Sequence, residues 1–286
     1  MIIKTCGTTT LLAALPHVFT IAQKYCGYQK PLICFYSRKA FLFPKLQSEP
    51  HRSWKEEMNF MDMVFGKRGQ VFTVGDSSSN AWYLYVMTRE PHDIPINKNA
   101  CDETLEILMS DLDPGVAKDF YCDDNITGAE GGMQASERTG ILKLYPNAKM
   151  DSFQFEPCGY SANGLLEDGY FTIHVTPERG WSFASFETNI PASHSHGDHH
   201  HRQTTVSKTT STVSPTLIRH VIDIFQPGSF LIILLSSSSN DLANKLEMLA
   251  DVYQGYERLI QVYRSFDHYN LVFVQYERNI DSNHSE

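Results

Sequence analysis

The alternation of apolar and polar residues predicts a protein that mixes strands with helices. Residues 170–175 alternate with a period of two, which places Tyr170, Thr172 and His174 on one face of a strand and three apolar residues on the other. Shorter stretches of the same kind occur along the whole chain. They predict strands over residues 32–37, 71–74, 82–87, 181–187, 230–235, 259–263 and 271–275.

Helical spacing of apolar residues separates these strands. It predicts helices over residues 11–25, 53–65, 102–112, 215–225 and 242–251. Asp102 is the expected N-cap of the third helix, and Pro215 suits the first position of the fourth. Residues 113–150 carry scattered charge and are predicted to be loop-rich. Alternating strands with a few helices favour an α+β fold, but the pattern does not determine how the layers are arranged.

The segment around the strand at 170–175 carries the most chemistry. Residues 155–164 contain proline and glycine and are predicted to form a loop, which a turn at residues 167–169 joins to the strand. Ser161 is therefore expected near His174, and Glu178 follows where Pro177 ends the strand. A hydroxyl, an imidazole and a carboxylate in one small volume, with the Cys158 thiol, fit acid–base or nucleophilic catalysis. A histidine on a strand face is also commonly structural.

Composition and charge exclude several classes of protein. The chain has 286 residues, of which 42% are hydrophobic and 20% charged, as is ordinary for a soluble globular protein with a large core. The length alone allows one large domain or two small ones. A formal net charge of −9 argues against binding to nucleic acid, which needs clustered cations. Six cysteines without a CxxC pair indicate reduced thiols in the cytoplasm. The apolar run at residues 230–235 is too short to cross a membrane, so no membrane partner is expected.

Residues 191–214 differ in kind from the rest of the chain. Five histidines precede a run of serine and threonine, with almost nothing apolar, which predicts a flexible surface insertion. Closely spaced imidazoles can bind zinc, but no cysteine or supporting partner is evident, so no metal site is predicted. The tail at residues 278–286 is expected to be frayed. The histidines are His194, His196, His199, His200 and His201.

Cys6 and the acidic pair Asp102–Glu106 each allow a functional and a structural interpretation. Cys6 is predicted to lie just before a helix N-terminus, where the helix dipole would favour a thiolate, but it could equally be a small buried hydrophobe. Asp102 and Glu106 would share one face of the predicted helix at 102–112. Their charges would repel each other unless a cation lay between them, although a solvated helix face is the simpler explanation.

Blocks along most of the chain, in a fixed order, resemble the eukaryotic S-adenosylmethionine decarboxylases. The resemblance is spread from the first residues to about residue 276. The blocks are KTCGTT at 4–9, FYSRK at 35–39, WYLY at 82–85, TLEILM at 104–109, FEPCGYSANGLLEDGYFTIHVTPE at 155–178, SFETN at 185–189 and YNLVF at 269–273.

The resemblance implies a single domain over residues 1–286, its fold and an activity. The fold is a four-layer α/β/β/α sandwich of two face-to-face antiparallel sheets, and active family members are often homodimers. The reaction removes the carboxylate of S-adenosyl-L-methionine to make the aminopropyl donor for spermidine and spermine. A covalent pyruvoyl group, made from an internal serine when the proenzyme cleaves itself, forms a Schiff base with the substrate and accepts the electrons released as CO2 leaves.

The resemblance also implies roles for individual residues. Cys6 would donate a proton to the substrate, while Ser161 and His174 would assist self-cleavage. Phe155 would stack on adenine, and Glu178 would accept hydrogen bonds from the ribose. A putrescine site would comprise Lys4, Phe35, Ser37, Asp102, Thr104, Glu106, Glu187 and Tyr269. One position departs from the family's pattern, since Leu235 aligns with an aromatic residue of that site.

The beginning of the chain leads to a further expectation. In the family, a Glu-Ser-Ser segment precedes the block at residues 4–9, and its first serine becomes the pyruvoyl group. That segment is absent from the 286 residues. The chain is therefore expected to be inactive alone and to need the missing N-terminal segment. The alternative is a catalytically dead relative that pairs with an active decarboxylase and regulates it.

Overall fold

The chain forms two compact units, Met1–Asn97 and Lys98–Glu286. A single domain over the whole chain stays a prediction. A computed structural model describes residues 2–5, 9–39, 41, 43–75, 81–88, 102–122, 126–195, 211–237, 242–249, 253–266 and 269–279.

The first unit combines two helices with a small antiparallel sheet. Its elements are α1 (Leu11–Cys26), β1 (Cys34–Lys39), α2 (Trp54–Phe65), β2 (Gly69–Val74) and β3 (Trp82–Met87). Within the described residues, β3 lies between β1 and β2. The predicted strand pair at 71–74 and 82–87 is confirmed, and Ser53 caps α2 by accepting a hydrogen bond from the Glu56 N–H at 3.2 Å.

The second unit is built on a larger antiparallel sheet. Among the described residues, eight strands pair in the order β10-β11-β9-β4-β8-β7-β6-β5. The strands are β4 (Glu103–Leu112), β5 (Lys149–Gln154), β6 (Tyr160–Leu166), β7 (Gly169–Thr176), β8 (Phe183–Thr188), β9 (Pro227–Ser236), β10 (Tyr256–Phe266) and β11 (Tyr269–Arg278). The helices are α3 (Pro114–Ala117), α4 (Gly128–Thr139), α5 (Pro215–Phe225) and α6 (Leu242–Leu249).

One face of this sheet carries the main core. Ile107, Ile173, Phe186 and Ile232 come from four neighbouring strands, and each of these side chains is fully buried. Helix α5 contributes apolar residues to the same core, including Leu217. Because side chains alternate along a strand, the intervening residues of β4, β6, β7 and β8 lie on the opposite face. That opposite face carries Ser161, His174 and most of the predicted acidic residues.

The helix predicted at residues 102–112 is wrong, since these residues form the central strand β4. Leucine, methionine and glutamate favour helices, and the apolar residues also fit helical spacing. Pairing with β8 on one side and β9 on the other outweighs that local preference. Asp102 is therefore not a helix cap. Glu106 shares a strand face with Thr104, and it is not one helical turn from Asp102.

The prediction of a loop-rich stretch over residues 113–150 is also wrong in part, because it missed helix α4. Its Gly131 and Gly132 lower helix propensity, which hid the helix in the sequence. They also allow α4 to pack closely on β5. A Cβ atom on Gly132 would lie 2.5 Å from the backbone nitrogen of Phe153, closer than atoms can approach without displacing the helix.

Gly132→Ala is therefore expected to lower the free energy of unfolding by about 1–3 kcal/mol, because the methyl group overpacks the contact between α4 and β5. Urea titration of the purified chain would measure the loss. Met133→Ala is the matched control, since Met133 lies on the same helix but is 40% exposed. An alanine at position 132 that unfolds at the wild-type urea concentration would contradict this packing.

The ends of the predicted insertion at 191–214 are packed against the second unit. Thr212, Val213 and Ser214 are buried, and Ser214 caps α5 by accepting a hydrogen bond from the Leu217 N–H at 3.1 Å. The Ala192 N–H donates to the Ser211 carbonyl at 2.8 Å, so the two ends meet. Flexibility was predicted over all of residues 191–214, of which residues 196–210 lie outside the described residues. The predicted frayed tail lies outside them as well, except for Arg278, which belongs to β11, and Asn279.

A buried ion pair holds residues 211–214, the second end of the insertion, in place. Glu103, at the start of β4, pairs with Lys245 of α6, and both side chains are at least nine-tenths buried. The same carboxylate accepts hydrogen bonds from the Thr212 N–H at 2.6 Å and from the Ser211 hydroxyl at 3.0 Å. Burial alone would raise the pKa of Glu103, but the Lys245 ammonium and these hydrogen bonds outweigh it, so that its pKa is lowered.

Candidate functional site

Ser161 and His174 lie directly opposite each other in the antiparallel pair formed by β6 and β7. The Ser161 Oγ and the His174 Nδ1 atoms are 3.0 Å apart, which is hydrogen-bonding distance. When the imidazole proton is on Nε2, Ser161 can donate its proton to Nδ1. This contact is the one expected from the sequence. The expected loop at 155–164 is only partly right, because Ser161 lies within a strand, and the register of that strand fixes the contact.

The residues predicted to bind substrate lie at the same end of this hairpin. The chain enters β6 from the segment at 155–159, and Glu178 follows β7 by two residues. Burial raises the pKa of the Cys158 thiol, and the nearby Glu178 carboxylate raises it further. The ring of Phe155 is 46% exposed and contacts the Phe153 ring at a centroid distance of 4.9 Å. An exposed aromatic ring and a carboxylate thus flank the Ser161–His174 pair.

The second group of predicted residues forms an acidic cluster, defined here as Asp102, Thr104, Glu106, Glu187 and Tyr269. Glu106 and Glu187 are directly opposite each other in β4 and β8. Asp102 accepts a hydrogen bond from the Tyr269 hydroxyl at 2.5 Å. Like charges on opposing strand positions repel each other, so the Glu106–Glu187 pair favours a bound cation.

Tyr170 joins this acidic cluster, although no sequence pattern had assigned it to a site. Its hydroxyl donates a hydrogen bond to Glu187 Oε1 at 2.7 Å and lies near the Thr104 side chain. Burial raises the pKa of Tyr170, and the nearby Glu187 carboxylate raises it further. The hydroxyl therefore stays protonated and holds the Glu187 side chain in place. Only the alternation of residues 170–175, which puts Tyr170 on the same face as His174, could have suggested this.

The two parts of the site share one sheet face. Thr172 lies opposite Glu187, while His174, two residues further along β7, lies opposite Ser185. The acidic cluster and the Ser161–His174 pair are thus about two residues apart along the strands, or roughly 7 Å. Leu235, the position that departs from the family's pattern, lies opposite Thr104 and Leu271.

Some predicted site residues are not placed with this group. Cys6 lies outside the described residues. Lys4, Phe35 and Ser37 belong to the first unit, where Phe35 and Ser37 are part of β1. Of the clustered histidines, the structure describes His194, whose Nε2 is 3.7 Å from Glu167 Oε1. The described residues contain no group of three metal-binding side chains. No described helix is both long and apolar enough to cross a membrane.

Comparison with known proteins identifies the family. The sequence profile of the family described as adenosylmethionine decarboxylase matches residues 1–277. The chain belongs to this family. It is 36% identical over 278 residues to the S-adenosylmethionine decarboxylase proenzyme of Xenopus laevis, covering 97% of this chain and 75% of the relative. The Drosophila melanogaster proenzyme is 34% identical over 290 residues, covering 97% of this chain and 76% of the relative.

A solved structure supports the fold of this decarboxylase family. The chain is similar to the Trypanosoma brucei AdoMetDC-delta26 monomer with a TM-score of 0.67 and 24% sequence identity, over 98% of this chain and 96% of that one. At this identity the likeness concerns the fold. The predicted fold class, α+β with antiparallel sheets and helices, is confirmed.

Proposed function

We propose that this chain provides the catalytic and binding residues for decarboxylation of S-adenosyl-L-methionine in polyamine biosynthesis. The product would be the aminopropyl donor used to make spermidine and spermine. Membership of the adenosylmethionine decarboxylase family supports the activity. The observation that carries the proposal is the 3.0 Å contact between Ser161 Oγ and His174 Nδ1, because it joins the two residues that the family uses for self-cleavage.

In this proposal, His174 moves a proton during self-cleavage. A neutral imidazole accepts a proton near pH 7, and a hydrogen bond to one ring nitrogen fixes the ring orientation. Ser161 provides that hydrogen bond from the adjacent strand. Ser161 would also steady the intermediate that precedes the ester, and His174 would remove the proton that resolves it. Both side chains are partly buried, so water does not fully surround them.

Substrate would bind at the end of the hairpin formed by β6 and β7. Phe155 offers an exposed ring for stacking on adenine, and its contact with Phe153 restricts its orientation. Glu178 is exposed and would accept hydrogen bonds from the ribose hydroxyls. The proposed role of Cys6 as proton donor rests on the resemblance of residues 4–9 to the family.

The residues of the site fit a pyruvoyl group. Forming it from a serine requires proton transfer, and the hydrogen-bonded Ser161–His174 pair is an acid–base arrangement suited to that step. When present, the pyruvoyl carbonyl supplies an acceptor for the electrons released as CO2 leaves. Phe155 and Glu178 would orient the substrate, and the acidic cluster would stay outside the reacting centre.

The acidic cluster would bind putrescine. The repulsion between Glu106 and Glu187 would be relieved by a diamine, and Asp102 carries a third carboxylate in the same cluster. The proposed roles of Lys4, Phe35 and Ser37 in binding putrescine rest on the family resemblance alone. Substitution of Leu235 for the aromatic residue of the family removes a possible contact between a cation and a ring.

The activity is tested by measuring CO2 released from carboxyl-labelled S-adenosylmethionine. The protein is a fused precursor, defined as an N-terminal segment with the family's Glu-Ser-Ser sequence joined before Lys4. We expect CO2 release from the fused precursor and none from the 286 residues alone, because the pyruvoyl-forming serine comes from that segment. Release from the 286 residues alone would contradict this source of the electrophile. A fused precursor that cleaves itself yet releases no CO2 would contradict the proposed activity.

A further inference from the structure

An imidazole from a distant part of the first unit caps the first turn of α1. Leu12 donates its backbone N–H to Nε2 of His51 at 3.3 Å, and His51 is 5% exposed. Thr10, the residue at the N-cap position, makes no side-chain hydrogen bond to the helix. The first N–H groups of a helix have no partner within it, so a buried one needs an acceptor from elsewhere. His51 therefore serves as the capping side chain of α1.

A buried carboxylate holds this imidazole in the form that can cap the helix. Nδ1 of His51 and Oε1 of Glu57 are 2.8 Å apart, and Glu57, which lies in α2, is fully buried. Arg38 of β1 donates a hydrogen bond to the same oxygen. Because a carboxylate only accepts hydrogen bonds, the ring proton belongs on Nδ1, and the lone pair of Nε2 is left for the Leu12 N–H. The orientation of the ring is therefore fixed from both sides.

The capped turn follows directly on the segment at residues 4–9. The Leu12 side chain is buried in the apolar core of the first unit, so the turn is held by packing as well as by its cap. Just before the helix, the Thr9 hydroxyl donates a hydrogen bond to the Thr5 hydroxyl at 2.9 Å, which joins these two residues. Cys6, the proposed proton donor, lies between them in the sequence. The cap at Leu12 therefore fixes the end of the helix to which the Cys6 segment is attached.

We propose that His51 is a positioning residue for the decarboxylation. By capping α1, it holds the segment that carries Cys6 in the arrangement needed for proton transfer to the substrate. The inference rests on the proposed function, in which Cys6 donates that proton. A reacting group displaced by about 1 Å can cost a factor of about 100 in rate. Substrate binding by Phe155 and Glu178 does not involve this helix, so the effect should fall on kcat and leave KM unchanged.

Two substitutions of His51 test the cap in the 286-residue chain. His51→Gln places an amide oxygen near the position of Nε2 and keeps an acceptor for Leu12, whereas His51→Asn places an amide N–H near Nδ1 and keeps only the bond to Glu57. Hydrogen exchange followed by NMR measures the opening of this turn. We expect the Leu12 amide to exchange about fivefold faster in His51→Asn and within about twofold of the unchanged rate in His51→Gln. His17→Asn, which removes an exposed imidazole from α1 itself, is the matched control and should leave the rate unchanged.

CO2 release by the fused precursor tests the role of His51 in the reaction. We expect His51→Asn to lower kcat about tenfold, with KM and the rate of self-cleavage within about twofold of the unchanged precursor. His51→Gln should restore kcat to within about threefold.

Three results would overturn the inference alone: an unchanged kcat in His51→Asn, an unchanged exchange rate of its Leu12 amide, or a loss of kcat accompanied by slower self-cleavage and a raised KM. The last of these would mean that His51 only supports the fold. Absence of CO2 release from the unchanged fused precursor would overturn the proposed function and, with it, the catalytic role of His51. The exchange rates would still decide whether His51 caps α1.

Discussion

Replacing His174 by alanine is expected to slow self-cleavage of the fused precursor by at least about 100-fold, because a positioned acid–base group typically contributes a factor of 100–10,000. The methyl group of alanine cannot accept a proton, and it also removes the partner of the Ser161 hydroxyl. Denaturing electrophoresis and intact mass measurement over several hours would follow the conversion of the precursor into two fragments.

Two further variants, one test and one control, show whether the effect is specific to the His174 imidazole. Ser161→Ala should also slow cleavage, because it removes the hydroxyl that steadies the intermediate and the hydrogen bond that orients the imidazole. His194→Ala is the control, since it also removes an imidazole, but one that is paired with Glu167 near the turn that joins β6 to β7. It should cleave at the normal rate. Normal cleavage by His174→Ala would contradict the proposed role of the imidazole.

Lys245→Met is expected to lower the free energy of unfolding by about 3–5 kcal/mol, the typical cost of breaking a buried ion pair by removing one partner. The variant would leave the Glu103 carboxylate buried without its cation, although hydrogen bonds from Thr212 and Ser211 remain. Urea titration at pH 7 measures the change. Lys149→Met is the matched control, because Lys149 is exposed in β5.

The cost of this substitution should depend on pH. The folded protein holds the pKa of Glu103 below its ordinary value of 4.5, so the pair contributes its full stability above that pH and loses it as the pH falls through the lowered pKa. Without Lys245, burial would raise the pKa instead. The stability difference between the two proteins should therefore be largest near pH 7 and shrink below about pH 4. An equal difference at pH 7 and at pH 3.5 would contradict the charged pair.

The contact between Ser161 and His174 could be predicted because it is local. The two residues are 13 positions apart, and one tight turn connects them, so a hairpin is the only arrangement needed. The sequence was less informative about the local structure of Ser161. Glycine and proline before and after it indicated a loop, whereas backbone pairing with β5 and β7 on both sides makes it part of a strand.

The family resemblance identified the residues of the acidic cluster, but the local sequence pattern did not predict how they are arranged in space. Asp102 and Glu106 were expected on a helix, and only pairing with the distant strands β8 and β9 makes this segment a strand. The change of structure also changes the partner of Glu106. Its opposing charge is Glu187 of β8, which no spacing along the chain would indicate.

Other features depend on contacts between strands and helices that cannot be predicted from a single sequence. The hydrogen bond from Tyr170 to Glu187 follows from how β7 pairs with β8. The Glu103–Lys245 pair joins residues 142 positions apart. Glutamate and lysine side chains are ordinarily exposed, so the burial of this pair could be recognised only in the structure.

The central claim is that the Ser161 hydroxyl and the His174 imidazole form one hydrogen-bonded unit, and nitrogen NMR of the imidazole rings tests it most directly. The 286-residue chain would be labelled with ¹⁵N-histidine, and the signals of His174 would be assigned by comparison with His174→Ala. We predict that Ser161→Ala shifts the Nδ1 signal of His174, whereas Ser185→Ala, which changes the residue on the other side of His174, shifts it less. An Nδ1 signal that is the same with and without the Ser161 hydroxyl would contradict the account.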